Sequence, residues 1–179
     1  MKELEEQDDR YLPGTFWKKA LIEIKRSLMH EGFQSFRSQT VNLNFFVPTY
    51  GSPGNGFSRS EQKEIIEKLG AFVNSKQKMQ MDGILSGYFY ALADYRTFIS
   101  GAISDNKIAL DCFSESNVGQ PVEHFSFDKR LYSRSALNYL LGLTFLRRID
   151  PNFIPKTILE IGGGFGTLGE IIGKTFKND

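Results

Sequence analysis

Thr157-Ile158-Leu159-Glu160-Ile161-Gly162-Gly163-Gly164-Phe165-Gly166-Thr167-Leu168-Gly169 is the stretch that decides how this chain of 179 residues is interpreted. It begins with a continuous apolar run before an acid, which is typical of a strand covered on both faces in a parallel sheet. The glycines that follow permit a tight turn with positive φ angles and leave peptide groups bare for a ligand. A helix beginning after the turn presents unpaired N–H groups and a partial positive charge. The stretch therefore predicts a strand, a glycine-rich turn and a helix that together form a ligand-binding corner.

Two ligand-binding patterns overlap at this corner. Gly164 to Gly169 matches G-x-G-x-x-G, the pattern of dinucleotide-binding turns, and Glu160 to Gly166 matches E-x-G-x-G-x-G. The second pattern resembles motif I of the Rossmann-like methyltransferases, whose glycine loop passes beneath S-adenosylmethionine. An acid at this position attracts the ammonium and sulfonium groups of that cofactor, whereas it repels a pyrophosphate. The charge favours S-adenosylmethionine over NAD, and a plain strand-to-helix turn is the third interpretation.

A second resemblance involves the run just upstream, Tyr132-Ser133-Arg134-Ser135-Ala136-Leu137-Asn138-Tyr139-Leu140-Leu141-Gly142-Leu143. Together with the glycine signature, this run resembles the sugar O-methyltransferases of bacterial and archaeal surface-polysaccharide loci. The resemblance covers the C-terminal part of the chain, and the earlier part is similar only in general layout. It implies a helical N-terminal region that leads through this helix into a methyltransferase sheet.

The same resemblance implies which residues bind S-adenosylmethionine. The expected cofactor-binding residues belong to the glycine loop, to the acid before it, or to the start of the upstream helix. They are Glu160, Gly162, Gly163, Gly164, Gly166, Tyr132 and Arg134. Ser133 and Asn138 are further candidates for the cofactor or acceptor side. The implied acceptor is a sugar or polysaccharide hydroxyl; the sequence assigns no catalytic residue and requires no metal.

The expected fold class is mainly α, in two parts. A helical N-terminal domain over residues 1–150 is followed, over 151–179, by the first β-strand, glycine loop and helix of a Rossmann-like α/β methyltransferase domain. A doubly wound sheet binds its ligand across neighbouring strands, and an acid about twenty residues past the loop holds the ribose. Asp179 lies too close to the loop for that role. We therefore expect a truncated product or a partner chain that supplies the rest, and no methylation by these residues alone.

Composition narrows the class of protein. The formal net charge of +1 gives no general attraction to nucleic acid or to acidic membranes. No apolar run is long enough to cross a bilayer and no secretion signal opens the chain, so a cytoplasmic location is expected. Cys112, the single cysteine, cannot form an internal disulfide, and with two histidines the chain shows no zinc-binding spacing.

Apolar periodicity predicts four helices ahead of the glycine corner. Their expected limits are Thr15 to Gly32, Ser58 to Val73, Asp82 to Gly101, and Ser133 to Arg148. Alternating apolar residues predict short strands at Val41–Val47 and Ile108–Cys112, which could pair with each other. The apolar stripe from Ile84 to Ile99 is either the centre of the helical domain or a surface for homo-oligomerisation.

His124 is the one histidine placed on a loop among aromatic residues. Histidine is a common general base for a sugar hydroxyl because its pKa lies near operating pH. No partner for His124 is visible in the sequence, so a Lys, Asp or Glu base in a missing part is the preferred hypothesis.

The sequence thus favours the interpretation that this chain is the N-terminal part of an S-adenosylmethionine-dependent O-methyltransferase. Two alternatives stay open. The chain could be a helical oligomerisation or interaction module without catalysis, or it could belong to an NAD-dependent sugar-modifying enzyme that uses the overlapping G-x-G-x-x-G pattern.

Overall fold

The computed structural model describes residues 13–46, 59–102 and 108–176, and within these ranges the fold is mainly helical, as predicted. These ranges contain seven α-helices and one antiparallel two-stranded sheet. The helices are α1 (Thr15–Glu31), α2 (Thr40–Phe46), α3 (Arg59–Gly70), α4 (Ser75–Leu85), α5 (Tyr88–Gly101), α6 (Arg134–Ile149) and α7 (Thr167–Thr175). The strands are β1 (Phe125–Phe127) and β2 (Arg130–Tyr132). Across the described ranges, no helix has the length and apolar character that a membrane span requires.

Helix α1 has the limits that the sequence predicts. Gly32 ends it with φ +75°, and the Gly32 N–H donates to the carbonyl oxygen of Leu28 at 3.0 Å. A residue with a Cβ is disfavoured in this left-handed region, which is why glycine commonly ends helices. The position of Gly32 was therefore a reliable stop signal.

The N-terminus of α6 is capped by Ser133, as predicted. The Ser133 hydroxyl accepts a hydrogen bond from the Ala136 N–H at 3.0 Å, and the serine is almost completely buried. A cap of this kind satisfies one of the N–H groups that the first turn of a helix leaves unpaired. Arg147 and Arg148 lie in the last turn of α6, where cations stabilise the helix dipole.

Substitution of Ser133 by alanine is expected to lower the free energy of unfolding by about 1 kcal/mol, because the Ala136 N–H loses its acceptor. Urea unfolding followed by circular dichroism measures the change. Ser135→Ala on the same helix is the matched control and should stay within about 0.5 kcal/mol of the parent. Equal losses in the two variants would contradict a capping role for Ser133.

The main core lies where α5, α6 and α7 pack together. Helix α5 contributes Ala91, Tyr95 and Phe98, and α6 contributes a row of buried leucines, Leu137, Leu140 and Leu143. Ile171 and Phe176, from α7 and its end, are buried in this same core. The predicted domain boundary at residue 150 stays a prediction.

One long helix from Asp82 to Gly101 was predicted, and the structure has two helices instead. The chain turns at Gly87, which has φ +75° and stands before the first residue of α5. A Cβ placed on Gly83 of α4 would lie 2.5 Å from the Phe89 ring, so only glycine allows the two helices to pack this closely. The apolar stripe is split as a result: Tyr95 and Phe98 are in the core, whereas Ile84 is half exposed.

The strand predicted at Val41–Val47 is wrong, because residues 40–46 form α2; Val47 lies outside the described residues. The fully buried Asn42 side chain donates to the carbonyl oxygen of Phe36 at 2.9 Å and to Gln39 Oε1 at 2.7 Å. These local polar contacts stabilise a helical turn that apolar alternation does not reveal.

The strand predicted at Ile108–Cys112 is also wrong. Leu110–Cys112 forms a 3-10 turn, and within the described residues Ile108 bridges to Phe176 rather than pairing with residues 41–46. The sheet is instead the hairpin of β1 and β2, with Phe125 opposite Tyr132. Asp128 and Lys129 both have positive φ angles, which is the conformation of a type I′ turn. Neither residue is a glycine, so the turn was not recognised in the sequence.

The strand predicted before the glycine loop is absent from the described structure. Residues 157–160 have no regular secondary structure, and Leu159 and Ile161 are 87% and 89% exposed. A strand exists only when its backbone groups pair with a neighbour. No described segment lies beside residues 157–160 as a pairing strand. The glycine turn and the helix after it, α7, are present as predicted.

Candidate functional site

The glycine corner, residues 160–169, is a turn built by three left-handed glycines. Gly162, Gly164 and Gly166 have φ angles of +74°, +56° and +77°. Gly166 is the N-cap of α7, and no side chain caps that helix. The first N–H groups of α7 therefore face the corner without a side-chain acceptor, which is the arrangement that binds polar or anionic groups.

Glu160 folds back onto this corner. A Cβ built on Gly163 would lie 3.0 Å from both Cδ and Oε2 of Glu160, so the carboxylate packs directly against the bare backbone of the turn. Any larger residue at position 163 would push the carboxylate away. The structure thus brings together five of the predicted cofactor-binding residues: Glu160, Gly162, Gly163, Gly164 and Gly166.

Aromatic rings from α2 and from the turn before it pack against the glycine corner. The ring of Phe165 contacts those of Phe36 and Phe46, with centroids 5.5 and 5.3 Å apart. A Cβ on Gly164 would lie 3.3 Å from the carbonyl oxygen of Phe46, so α2 approaches the turn closely. The guanidinium of Arg37 lies 5.1 Å from the centre of the Phe165 ring, within the range of a cation–π contact.

Behind the corner lies a buried ionic cluster, formed by Arg37, Glu115, Glu123 and His124. Arg37 Nη2 donates to Glu115 Oε1 and to Glu123 Oε1, each at 2.6 Å, and Arg37 Nε donates to Glu123 Oε1 at 3.1 Å. The side chains of Arg37, Glu115 and Glu123 are 8%, 0% and 1% exposed. Charges this deeply buried are tolerated only when they are paired and hydrogen-bonded.

Glu115 is the centre of the cluster. Its Oε2 accepts from the backbone N–H of Ser133 at 2.6 Å, and its Oε1 lies 3.4 Å from the Thr167 hydroxyl, which donates to it from the start of α7. Burial disfavours the ionised carboxylate, but hydrogen bonds and charge from His124 and Arg37 outweigh this and lower the pKa of Glu115 to about 2. Glu115 is therefore ionised under ordinary conditions and connects the corner to the cluster.

His124 completes the cluster as the partner of Glu115. His124 Nε2 lies 3.4 Å from Glu115 Oε2, and its side chain is 7% exposed. A carboxylate at this position favours the tautomer in which Nε2 carries the proton, because Nε2–H can then donate to Glu115. His124 Nδ1 is buried and has no hydrogen-bond partner among the described residues. An imidazole that a carboxylate orients in this way can act as a general base.

No protein-family model matches this chain, and no curated protein or solved structure matches it.

The resemblance also predicted that Tyr132 and Arg134 bind the cofactor. These two residues lie on the α5 side of the fold. Tyr132 is fully buried, and its ring packs against those of Tyr95 and Phe127. Arg134 Nε donates to Asp94 Oδ2 at 3.0 Å, and the Arg134 guanidinium lies over the ring of Tyr90. Both side chains thus have packing roles here, and cofactor contact by either stays a prediction.

Arg37, Glu115 and Glu123 could not be identified as site residues from the sequence. Each is a single charged residue in a polar stretch, and the hydrogen bonds that join them cross 78 to 86 positions of the chain. The only available signal was the Glu123-His124 pair among phenylalanines, which singled out His124 without revealing its partner.

Proposed function

We propose that the glycine corner is the S-adenosylmethionine-binding element of an O-methyltransferase that acts on a sugar or polysaccharide hydroxyl. The observation that carries the proposal is the carboxylate of Glu160 packed on a turn of left-handed glycines. A carboxylate at this place attracts the ammonium and sulfonium groups of the cofactor, and it disfavours the pyrophosphate of NAD. Bare peptide groups let the cofactor lie flat against the turn.

The exposed apolar residues just before the glycine corner are consistent with the same proposal. Ile158, Leu159 and Ile161 are 47%, 87% and 89% exposed, although an apolar run of this kind is typical of a strand buried on both faces. We infer that further strands, from additional chain or from a partner, cover it in the active enzyme. These residues would then form the first strand of the sheet, with the glycine corner at its carboxyl end.

The proposed methyl transfer requires the protein mainly to align the acceptor hydroxyl with the methyl group of the cofactor. The acceptor oxygen attacks the methyl carbon in line with the C–S bond, the sulfur keeps the bonding electron pair and leaves as a neutral thioether, and a base takes the hydroxyl proton. Positioning of the acceptor and exclusion of water supply most of the rate enhancement, because the sulfonium is already a good leaving group. A cytoplasmic location and self-association through the helical part belong to the same proposal.

Isothermal titration with S-adenosylhomocysteine and with NAD tests this proposal. Both ligands are titrated into the 179-residue chain and into the gene product with any sequence that follows residue 179. We expect S-adenosylhomocysteine, and not NAD, to bind the longer form. Glu160→Gln should weaken that binding by about 10- to 100-fold, since a hydrogen bond to a charged group contributes about 1.5–3 kcal/mol.

The control for Glu160→Gln is Glu23→Gln on the exposed side of α1, which should leave binding unchanged. Binding of NAD in place of S-adenosylhomocysteine would favour the dinucleotide alternative. Absence of binding to either form would favour the helical interaction module.

A further inference from the structure

A large cleft opens on the other side of the ionic cluster. It lies between α3 and α4 on one side and the segment that leads into β1 on the other, with a volume of about 950 Å³. This volume is at the upper end of the roughly 300–1,000 Å³ that ligand pockets span. The cleft is therefore large enough for a ligand of several rings.

The floor of the cleft includes two residues of the ionic cluster, Glu123 and His124. The side chain of Glu123 is 1% exposed and that of His124 is 7% exposed. Glu123 Oε2 and His124 Nδ1 have no hydrogen-bond partner in the described part of the chain. Buried polar atoms are almost always paired in folded proteins, and leaving one unpaired is unfavourable. Both atoms are buried, but they belong to residues that line the cleft, so the hydroxyl groups of a bound ligand are the partners that a small side-chain rotation would give them.

The walls of the cleft are aromatic. Tyr88 and Phe89, at the start of α5, face the cleft together with Phe125 of β1. Tyr88 is 39% exposed and Phe89 is 41% exposed, so a ligand can reach both rings. Apolar and aromatic walls combined with a few fixed polar groups are typical of small-molecule sites. The apolar face of a sugar ring can stack on such walls while its hydroxyls bind the floor.

The rim of the cleft carries balanced charge. Lys63 and Glu67 on α3 form an exposed pair at 3.9 Å, and α4 contributes Lys78 and Asp82. Two cations and two anions give no net attraction for a charged ligand. On the floor, the single cation Arg37 is shared between the carboxylates of Glu123 and Glu115, so the cleft disfavours an anionic ligand.

We propose that this cleft binds a neutral, polyhydroxylated ligand of the saccharide class, with its hydroxyl groups on Glu123 and His124 and its ring faces on Tyr88 and Phe89. The binding itself is independent of methyl transfer; only the role of this saccharide as the methyl acceptor rests on the proposed function. Glu115 then connects the two sites, because it contacts His124 at the floor of the cleft and Thr167 at the glycine corner.

The test is a titration of the 179-residue chain, labelled with ¹³C at its methionine methyl groups, with a panel of oligosaccharides followed by NMR. The panel contains neutral oligomers of glucose, galactose, mannose and rhamnose, with sulfated and uronic-acid oligomers as charged counterparts. Met79 lies in the cleft and reports binding, while Met29, exposed on α1, reports non-specific effects. We expect a neutral oligosaccharide to shift the Met79 signal and leave the Met29 signal unchanged.

Two kinds of variant identify the contacts. Tyr88→Leu should weaken binding at least ~10-fold through loss of the stacking ring, whereas Tyr90→Leu, on the same helix and outside the cleft, should change it less than about 2-fold. Glu123→Gln should also weaken binding, and Tyr88→Leu keeps the proposal testable if Glu123→Gln fails to fold. A panel with no effect on Met79, a preference for the charged oligomers, or equal losses in Tyr88→Leu and Tyr90→Leu would overturn the proposal.

The outcomes also separate this inference from the proposed function. Oligosaccharide binding without S-adenosylhomocysteine binding to any form would leave the cleft assignment standing and remove the methyltransferase. The reverse result would remove the cleft and leave the glycine corner.

Discussion

Replacement of Arg37 by methionine is expected to lower the free energy of unfolding by about 3–5 kcal/mol. The Arg37 side chain is 8% exposed and donates to the carboxylates of Glu115 and Glu123, each at 2.6 Å. Methionine fills much of the same volume but leaves two neighbouring buried carboxylates without a cation. Removal of one partner from a buried ion pair is far more destabilising than the net contribution of the intact pair. A domain of this size has a total stability of about 5–15 kcal/mol, so the variant would be close to unfolding.

Urea unfolding of Arg37→Met and of the parent, followed by circular dichroism, measures this difference. Lys68→Met is the matched control, because Lys68 pairs with Glu64 at 2.5 Å on the exposed face of α3. Exposed pairs contribute about 0–1 kcal/mol, so the control should differ little from the parent. If the two variants lose the same stability, the buried cluster does not hold the fold together.

Stability that depends on Glu115 is expected to disappear as the pH falls from about 4.5 to about 2. The pKa of this carboxyl falls from its ordinary value of 4.5 to about 2 in the folded chain, because the hydrogen bonds and charge from His124 and Arg37 exceed the cost of burial. A lowered pKa means that the folded state favours the ionised form. The contribution is present in full above pH 4.5 and is lost as the pH approaches 2. The difference in pKa corresponds to about 3 kcal/mol.

The measurement compares the parent with Glu115→Gln in urea at pH 7, 4.5, 3 and 2. Protonation of other groups affects both proteins, so the difference between them isolates Glu115. Among the described residues, four groups contact this carboxylate: the side chains of Arg37, His124 and Thr167, and the backbone N–H of Ser133. The parent should be more stable at pH 7 and the difference should shrink steadily below pH 4.5. A difference that does not change with pH would show that the pKa of Glu115 is the same in the folded and the unfolded chain.

Local signals predicted the end of α1, the start of α6 and the glycine turn correctly. Gly32 ends α1 because a left-handed residue is needed there, and Ser133 caps α6 because its hydroxyl reaches the first turn. The glycines at 162, 164 and 166 do take positive φ angles, and Glu160 does lie on the turn. In each case the chemistry involves residues within a few positions of each other, so the sequence carries the information directly.

Longer-range features could not be predicted in the same way. Residues 40–46 alternate like a strand, but the buried contacts of Asn42 fix a helix. Residues 157–160 have the composition of a buried strand, but a strand also needs a neighbour, which no described segment provides. The ionic cluster around Arg37 could not be recognised from the sequence, because its members are far apart along the chain. His124 was considered as a base without a partner, and the partner, Glu115, lies nine positions earlier in a polar stretch.

The long separations within the cluster also determine the order in which this chain can fold. Arg37 and Glu123 are 86 positions apart, and Glu115 and Thr167 are 52 positions apart. Closing loops of such length costs chain entropy before any contact compensates for it, and contacts between distant residues slow folding. Helices α1 and α6 can form from local contacts, whereas the cluster closes only after both halves of the chain have met. We therefore expect the glycine corner, which contacts Glu115 through Thr167, to reach its final position late in folding.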